Sequence, residues 1–211
     1  MSSDRPGAQH PRRPTFLGPA ALNSLMGAPD PARRVEAAHA TAEALVRHGR
    51  GGDAAVTARL VALTDEHGID EVALLWADRP ADTLPGALWR LYALRAGIRR
   101  APVDFSRGYD AGRWRAQVHE VVAGVAEPPG TQEVVAMADS VLAGAFTGDF
   151  AVALERAGAF CRVVSTGWAL LADDDPDADR AQARTRQASD LLRTGQQLEL
   201  AAERWREGSL A

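Results

Sequence analysis

The histidines are the residues whose type and spacing first suggest metal chemistry. His119 and Glu120 begin a pattern typical of zinc proteases, in which a second histidine must follow four positions after the first so that both imidazoles face one metal ion. Ala123 occupies that position, so the pattern is incomplete. His39 and Glu43 have the same spacing, but a hydrogen-bonded pair on one helix face explains them better than two metal ligands do. We therefore expect no metal site.

A calcium site is the second candidate, because every second residue of the segment 173–179 is an aspartate. A calcium-binding loop that begins at Asp173 requires glycine at its sixth position for the sharp turn and glutamate at its twelfth as a bidentate ligand. Ala178 and Arg184 occupy these positions. Carboxylates stabilise the positive end of a helix, so these acids are better explained as the beginning of the last helix, marked by Asp175 and Pro176.

Residue composition excludes several classes of enzyme. All 24 cationic side chains are arginine, so the chain cannot form a lysine Schiff base or contain the lysine of a phosphate-binding P-loop. The single cysteine, Cys161, excludes disulfides within the chain and metal sites that need several thiolates. No serine lies in a GxSxG motif, and the glycine-rich segment 49–52 follows a helix instead of a strand. These absences argue against an enzyme and predict no bound cofactor.

Charged residues within the most apolar segment could mark a buried polar site. Glu155 and Arg162 lie two helical turns apart on one face, about 10 Å from each other. Together with His119 they could line a small-ligand or catalytic site inside a helix bundle. Ion pairs to neighbouring helices explain the two charges more simply, because a buried charge needs a partner.

Charge is distributed unevenly along the chain. The formal net charge is −4, but the segment 86–126 has a local charge of +4 and the segment 127–179 has one of −8. Arginines interleaved with aromatic residues suit phosphate contact and base stacking, and the same residue types are common at the centres of protein interfaces. They could equally pair with the acidic segment. The candidate contact residues of this arginine face are Trp89, Tyr92, Arg95, Arg99, Arg100, Arg107, Arg113 and Arg115.

Helix caps and apolar spacing predict the elements that position these residues. The pattern is that of an all-α protein, a compact bundle of about eight helices without a strand of useful length. A loop is expected at 77–83 and a looser region at 103–112. The expected helices cover 31–47, 70–76, 84–101, 114–126, 131–145, 149–172 and 176–207, with one more that opens at Asp53.

The segment 149–172 is the expected central helix. Its stripe of apolar residues is unbroken over seven positions at helical spacing, and small residues such as Gly158 and Gly167 would let neighbouring helices approach closely. The long C-terminal helix has an apolar stripe interrupted by polar positions. We expect that helix to dock on a partner protein or on a second copy of the chain.

The chain begins with a segment, residues 1–15, whose polar and proline-rich composition is typical of a disordered tail. Residues 16–211 form the expected single all-helical domain, although the Pro-Pro-Gly break near 127–130 could separate two subdomains. Arg12 and Arg13 match a twin-arginine export signal only in part, because no hydrophobic stretch of signal-peptide type follows them. No run approaches the roughly 18 apolar residues that span a membrane. The sequence predicts a cytoplasmic protein with no membrane partner.

Three functions remain open. The leading hypothesis is a non-enzymatic regulatory or accessory factor that acts by binding other proteins. The second is a nucleic-acid- or transcription-associated factor that uses the face between Arg90 and Arg115, although an acidic protein lacks the basic footprint expected for unaided binding. The third is a ligand-binding or enzymatic site inside the bundle.

Overall fold

The computed structural model describes residues 31–47, 69–123, 128–143 and 148–210. Within these ranges the chain forms seven helices and no strand, which confirms the predicted all-α class and comes close to the expected helix number. The predicted tail and the helix predicted at Asp53 lie outside the described residues. The helices are α1 (Pro31–Arg47), α2 (Ile69–Leu74), α3 (Leu84–Arg100), α4 (Pro102–Ala123), α5 (Thr131–Leu142), α6 (Phe150–Asp173) and α7 (Ala178–Arg206).

Side-chain caps define where three of the helices begin. The Thr83 hydroxyl accepts a hydrogen bond from the backbone N–H of Gly86 at 3.2 Å and starts α3. Asp149 starts α6 in the same way, through the backbone N–H two residues later. For α7 the cap is Asp177, not Asp175 as the sequence predicted. Asp175 instead accepts from the N–H of Asp177 at 3.0 Å and so shapes the turn that precedes the helix.

The looser region predicted at 103–112 is wrong, because α4 runs without interruption through this segment. Pro102 stands at the first helical position, where its missing N–H would have had no partner within the helix. Gly108 and Gly112 lie where α4 crosses α6. A Cβ atom on Gly112 would lie only 1.9 Å from the carbonyl oxygen of Val163. Close helix packing, not a turn, therefore requires the glycine at this position.

The central helix is α6, as predicted, and its most extensive contacts are with α7 and α4. Six of the seven residues of its predicted stripe are buried, and Leu171 is partly buried. Phe160 stacks on Tyr109 of α4, with ring centroids 5.8 Å apart. Ser165 is buried as well, and its hydroxyl donates to the carbonyl oxygen of Ala188 in α7 at 2.8 Å. The polar atom in this interface is thus hydrogen-bonded, as burial requires.

The C-terminal helix, α7, packs along α6 at a second glycine contact. A Cβ atom on Gly195 would lie 2.9 Å from the Cβ atom of Cys161 and 3.0 Å from the carbonyl oxygen of Gly158. Leu191 and Leu198 are buried in the core. The apolar stripe of α7 is therefore largely used within the chain.

The helix α3 joins this pair to the remaining helices, since it contacts α1, α2, α5 and α7. Leu84, Leu88, Leu91 and Ile98, which are spaced along one side of this helix, are all buried. Trp76, in the turn after α2, is fully buried, and its indole N–H donates to the Thr41 hydroxyl of α1 at 3.1 Å. No helix in the part of the chain that the structure describes combines the length and the hydropathy that a membrane crossing requires.

Candidate functional site

The aromatic residues predicted for the arginine face lie on α3 and contact other residues of the chain. Trp89 and Tyr92 are half-buried and stack on each other, with ring centroids 5.5 Å apart. The Tyr92 hydroxyl donates a hydrogen bond to Asp70 at 2.8 Å. Burial and this hydrogen bond raise the pKa of Tyr92. Both rings are therefore held by contacts within the chain.

Two of the predicted arginines share one carboxylate. Arg95 and Arg99 lie one turn apart on α3, and both contact Asp139 of α5. The Arg95 Nε atom donates to Oδ1 of Asp139, and Arg99 Nη2 lies 2.9 and 2.7 Å from the two carboxylate oxygens. Burial by itself would raise the pKa of Asp139, but the hydrogen bonds and charges of the two arginines outweigh it and lower the pKa. Asp139 belongs to the acidic segment, so this part of the arginine face is neutralised internally.

The other predicted arginines lie on or beside α4. Arg100, Arg107 and Arg115 are exposed, and they form no hydrogen bond or ion pair with any residue that the structure describes. Arg113 is half-buried, and its guanidinium carbon lies 5.1 Å from the centre of the Trp114 ring, a cation–π contact. Its buried Nε atom has no hydrogen-bond partner among the described residues. The positive charges of these four side chains are therefore available to another molecule.

Two large apolar side chains accompany these cations at the surface. Val103 is 71% exposed and Trp114 is 64% exposed. Together with Arg107 and Asp110, they follow one another at intervals of four, three and four residues, a spacing that places all four on one side of a helix. This side is opposite the one that packs on α6. We call these four residues the outer face of α4.

Sequence reasoning missed Val103 as a member of the site, and it noted Trp114 only as an aromatic residue near the arginines in sequence. It named Trp89 instead, which is half-buried. The helical spacing of the outer face is present in the sequence, but it was hidden because the segment 103–112 was predicted to be irregular. A helix extended back to Pro102 places Val103 and Trp114 on the same side of α4 as charged residues. Two large apolar residues on such a side are a signal that the sequence contains.

The predicted polar site at His119, Glu155 and Arg162 is arranged differently. Glu155 pairs with Arg206 of α7, with N–O distances of 2.5 and 2.7 Å, and both side chains are partly exposed. Arg162 pairs with Glu199 of α7 through an Nε–Oε1 contact of 2.6 Å and a second, shorter contact. These are the interhelical ion pairs that the sequence offered as the simpler explanation. The side chain of His119 lies outside the described residues.

The described surface includes two cavities of different size. The larger, about 610 Å³, lies between α4, α6 and the start of α5 and has a mostly polar lining that includes Asp110, Glu133 and Arg156. Glu133 accepts the backbone N–H of Gly130 at 3.1 Å and lies 3.6 Å from Arg156, so its carboxylate is used at the start of α5. The smaller, about 380 Å³, is lined by residues of α3, α4, α6 and α7, with Trp168 among them.

Reactive groups are few in the described part of the chain. It contains no group of three or more His, Cys, Asp or Glu side chains that could hold a metal ion. Cys161 is fully buried, and burial, together with the negative charge of Glu199, raises its pKa to about 12. A thiol with this pKa is protonated at neutral pH and is a poor nucleophile.

No protein-family model, curated protein or solved structure matches this chain. The candidate site is the outer face of α4 with the arginines beside it, Arg100, Arg113 and Arg115. It can bury an indole ring and a valine side chain against another molecule, and it can pair with anionic groups on that molecule.

Proposed function

We propose that this chain is a non-enzymatic accessory factor that acts by binding another protein through the outer face of α4. The observation that carries the proposal is Trp114, a tryptophan that is 64% exposed. It lies beside arginines that have no counter-ion among the described residues. Tryptophan and arginine supply much of the binding energy at protein interfaces, since each combines a large contact area with directed polar interactions.

The size of the exposed apolar surface supports this proposal. Val103 and Trp114 are eleven residues apart on one helix face, which corresponds to about 16 Å along the axis. Single exposed apolar residues are common on protein surfaces, but two large ones aligned on one helix, with charged residues between them, are typical of a contact surface.

Nucleic-acid binding is less well supported than protein binding. The rings expected to stack on bases, Trp89 and Tyr92, are half-buried and stack on each other. Arg95 and Arg99 are already paired with Asp139. The formal net charge of −4 also disfavours the approach of a polyanion such as nucleic acid.

A cytoplasmic location is part of the proposal. It rests on Cys161, the one cysteine of the chain, which is a buried free thiol. Free thiols are typical of reducing compartments. Cell fractionation of the native host tests this location, and recovery of the protein from an exported fraction would contradict it.

The binding proposal is tested by quantitative affinity purification from the native host after nuclease treatment. Trp114→Ala should remove the specific partner, whereas Leu74→Ala should retain it. Leu74 is a matched control because it is also 64% exposed but lies on α2. A partner that both variants retain would contradict the assignment to α4. A partner that disappears with nuclease would instead favour the nucleic-acid hypothesis, and recovery of a second copy alone would favour self-association.

A further inference from the structure

We infer that the partner presents an acidic amphipathic helix, which lies along the outer face of α4 and carries two apolar side chains about three turns apart. The inference rests on the proposed function and names the chemistry of its partner. Three observations carry it: the sign of the free charge, the spacing of the exposed apolar residues, and the lack of a matching surface elsewhere on the described chain.

The free charges around the outer face are mostly positive. Arg100, Arg107, Arg113 and Arg115 have no carboxylate partner among the described residues. The acids of the same region are Asp104, which pairs with Arg184 of α7 at 2.8 Å, and Asp110. Four free arginines against one free aspartate leave an excess of three positive charges. A partner with carboxylates in this region gains attraction, and a basic partner is repelled.

The spacing of the apolar residues favours a helical partner. A second helix laid along α4 can place apolar side chains about 16 Å apart with a spacing of eleven residues, as between Val103 and Trp114 themselves. An extended strand would gain no backbone hydrogen bonds here, because the N–H and C=O groups in the interior of a helix are already bonded to each other. Trp114 would be the main contact, with Arg107 pairing between the two apolar ends.

A second copy of the chain does not offer this surface in its described residues. The other exposed large apolar residues lie singly on four different helices, namely Val35 on α1, Leu74 on α2, Val152 on α6 and Leu200 on α7. Two carboxylates near the last two residues, Glu155 and Glu199, are committed to ion pairs. The described residues of a second copy therefore do not supply the partner helix, and the proposal commits to a different protein.

The test is a selection from a display library of amphipathic helices. Each member has two leucines eleven positions apart and a random choice of acidic, basic or neutral residues around them. When the library is selected for binding to the full chain, we expect enrichment of Glu and Asp. When it is selected for binding to the double variant Arg107→Glu with Arg115→Glu, we expect the preference to change to Lys and Arg. The reason is that the two substitutions reverse the sign of the surface charge. Circular dichroism confirms that the variant is folded.

Affinities of one selected acidic peptide complete the test. Trp114→Ala should weaken binding about thirtyfold, in line with a central aromatic contact. Asp110→Asn should strengthen it about threefold, since it removes the carboxylate that repels the peptide. Leu74→Ala should leave it unchanged. A peptide that binds Trp114→Ala as tightly as the unchanged protein would overturn the inference.

The outcomes also separate this inference from the proposed function. Enrichment of basic or neutral helices, or of none, overturns the acidic-helix inference, and a cellular partner that still depends on Trp114 would leave the proposed function standing. If no cellular partner depends on Trp114 either, both fail. An oligonucleotide that binds the full chain and loses affinity in Arg107→Glu overturns both in favour of nucleic acid.

Discussion

Gly108 and Gly167 bring the backbones of α4 and α6 into direct contact, since a Cβ atom on Gly167 would lie 1.8 Å from the carbonyl oxygen of Gly108. This contact sets the distance between the two helices and thereby the position of the outer face. Trp168, the next residue of α6, anchors the same crossing, because its indole N–H donates to the carbonyl oxygen of Asp104 at 3.1 Å.

Gly167→Ala should lower the free energy of unfolding by about 3 kcal/mol, the upper part of the range for overpacked cores. The added methyl group meets backbone atoms, which cannot rotate away, so the helices must separate. Urea unfolding measures the change. Gly97→Ala is the matched control: its Cβ atom would lie 3.5 Å from the Phe105 ring, an ordinary contact, and a helical alanine should stabilise by up to about 1 kcal/mol. Equal stability of the two variants would contradict the close crossing.

Asp139→Asn should reduce stability in a manner that depends on pH. The pKa of Asp139 is lowered in the folded protein, so the carboxylate stabilises the fold above its unfolded pKa of about 4 and loses this effect as the pH falls through the folded pKa. Because its side chain is 36% exposed, screening limits the loss at neutral pH to about 1 kcal/mol. The unfolding curves of the unchanged protein and of Asp139→Asn should converge at acid pH, where Asp139 is protonated. Asp190→Asn, which removes an exposed pair with Arg193, should change little at any pH.

Arg95→Glu and Arg107→Glu should differ in stability although both reverse one charge of the predicted arginine face. Arg95 is only 15% exposed and contacts Asp139, so a glutamate there would bury a second negative charge and cost about 2 kcal/mol. Arg107 has no partner among the described residues, and its reversal should stay within about 0.5 kcal/mol. Thermal unfolding compares the two. A large loss in Arg107→Glu would mean that this arginine has a structural role.

Cys161 should report global unfolding. It is fully buried and its pKa is raised to about 12, first by burial and then by the charge of Glu199. Ellman's reagent should therefore react slowly in native buffer at neutral pH, and quickly once denaturant unfolds the chain. Rapid reaction in native buffer would show that α6 and α7 separate easily.

Sequence patterns predicted the fold well where the signals were local. The helix predicted at 31–47 matches α1, and the Thr83 and Asp149 caps lie where the expected helices begin. The segment 103–112, where the prediction was wrong, contains Gly108 and Gly112. Glycine is a signal both for turns and for close helix contact, and one sequence does not distinguish the two uses. Only the packing of Gly112 against Val163 decides between them.

The candidate site was harder to predict, because it depends on which charges find partners far along the chain. Arg95 and Arg107 look alike in the sequence, yet Arg95 pairs with Asp139, whereas Arg107 forms no ion pair with a described residue. That difference follows from the packing of α5 on α3, a long-range relationship with no local signal. Helical spacing alone could have found Val103 and Trp114, once α4 was extended.

The α6–α7 pair also bears on the order in which the chain folds. The most extensive helix contact in the described structure joins these two consecutive helices across the short turn 174–177, so closing it costs little chain entropy. The pair can therefore assemble before α4, which lies earlier in the chain and is separated from α6 by residues 124–149, packs on it. In stopped-flow experiments, Gly195→Ala should then mainly slow folding, whereas Gly112→Ala should mainly speed unfolding. The outer face of α4 would be completed late, after its support has formed.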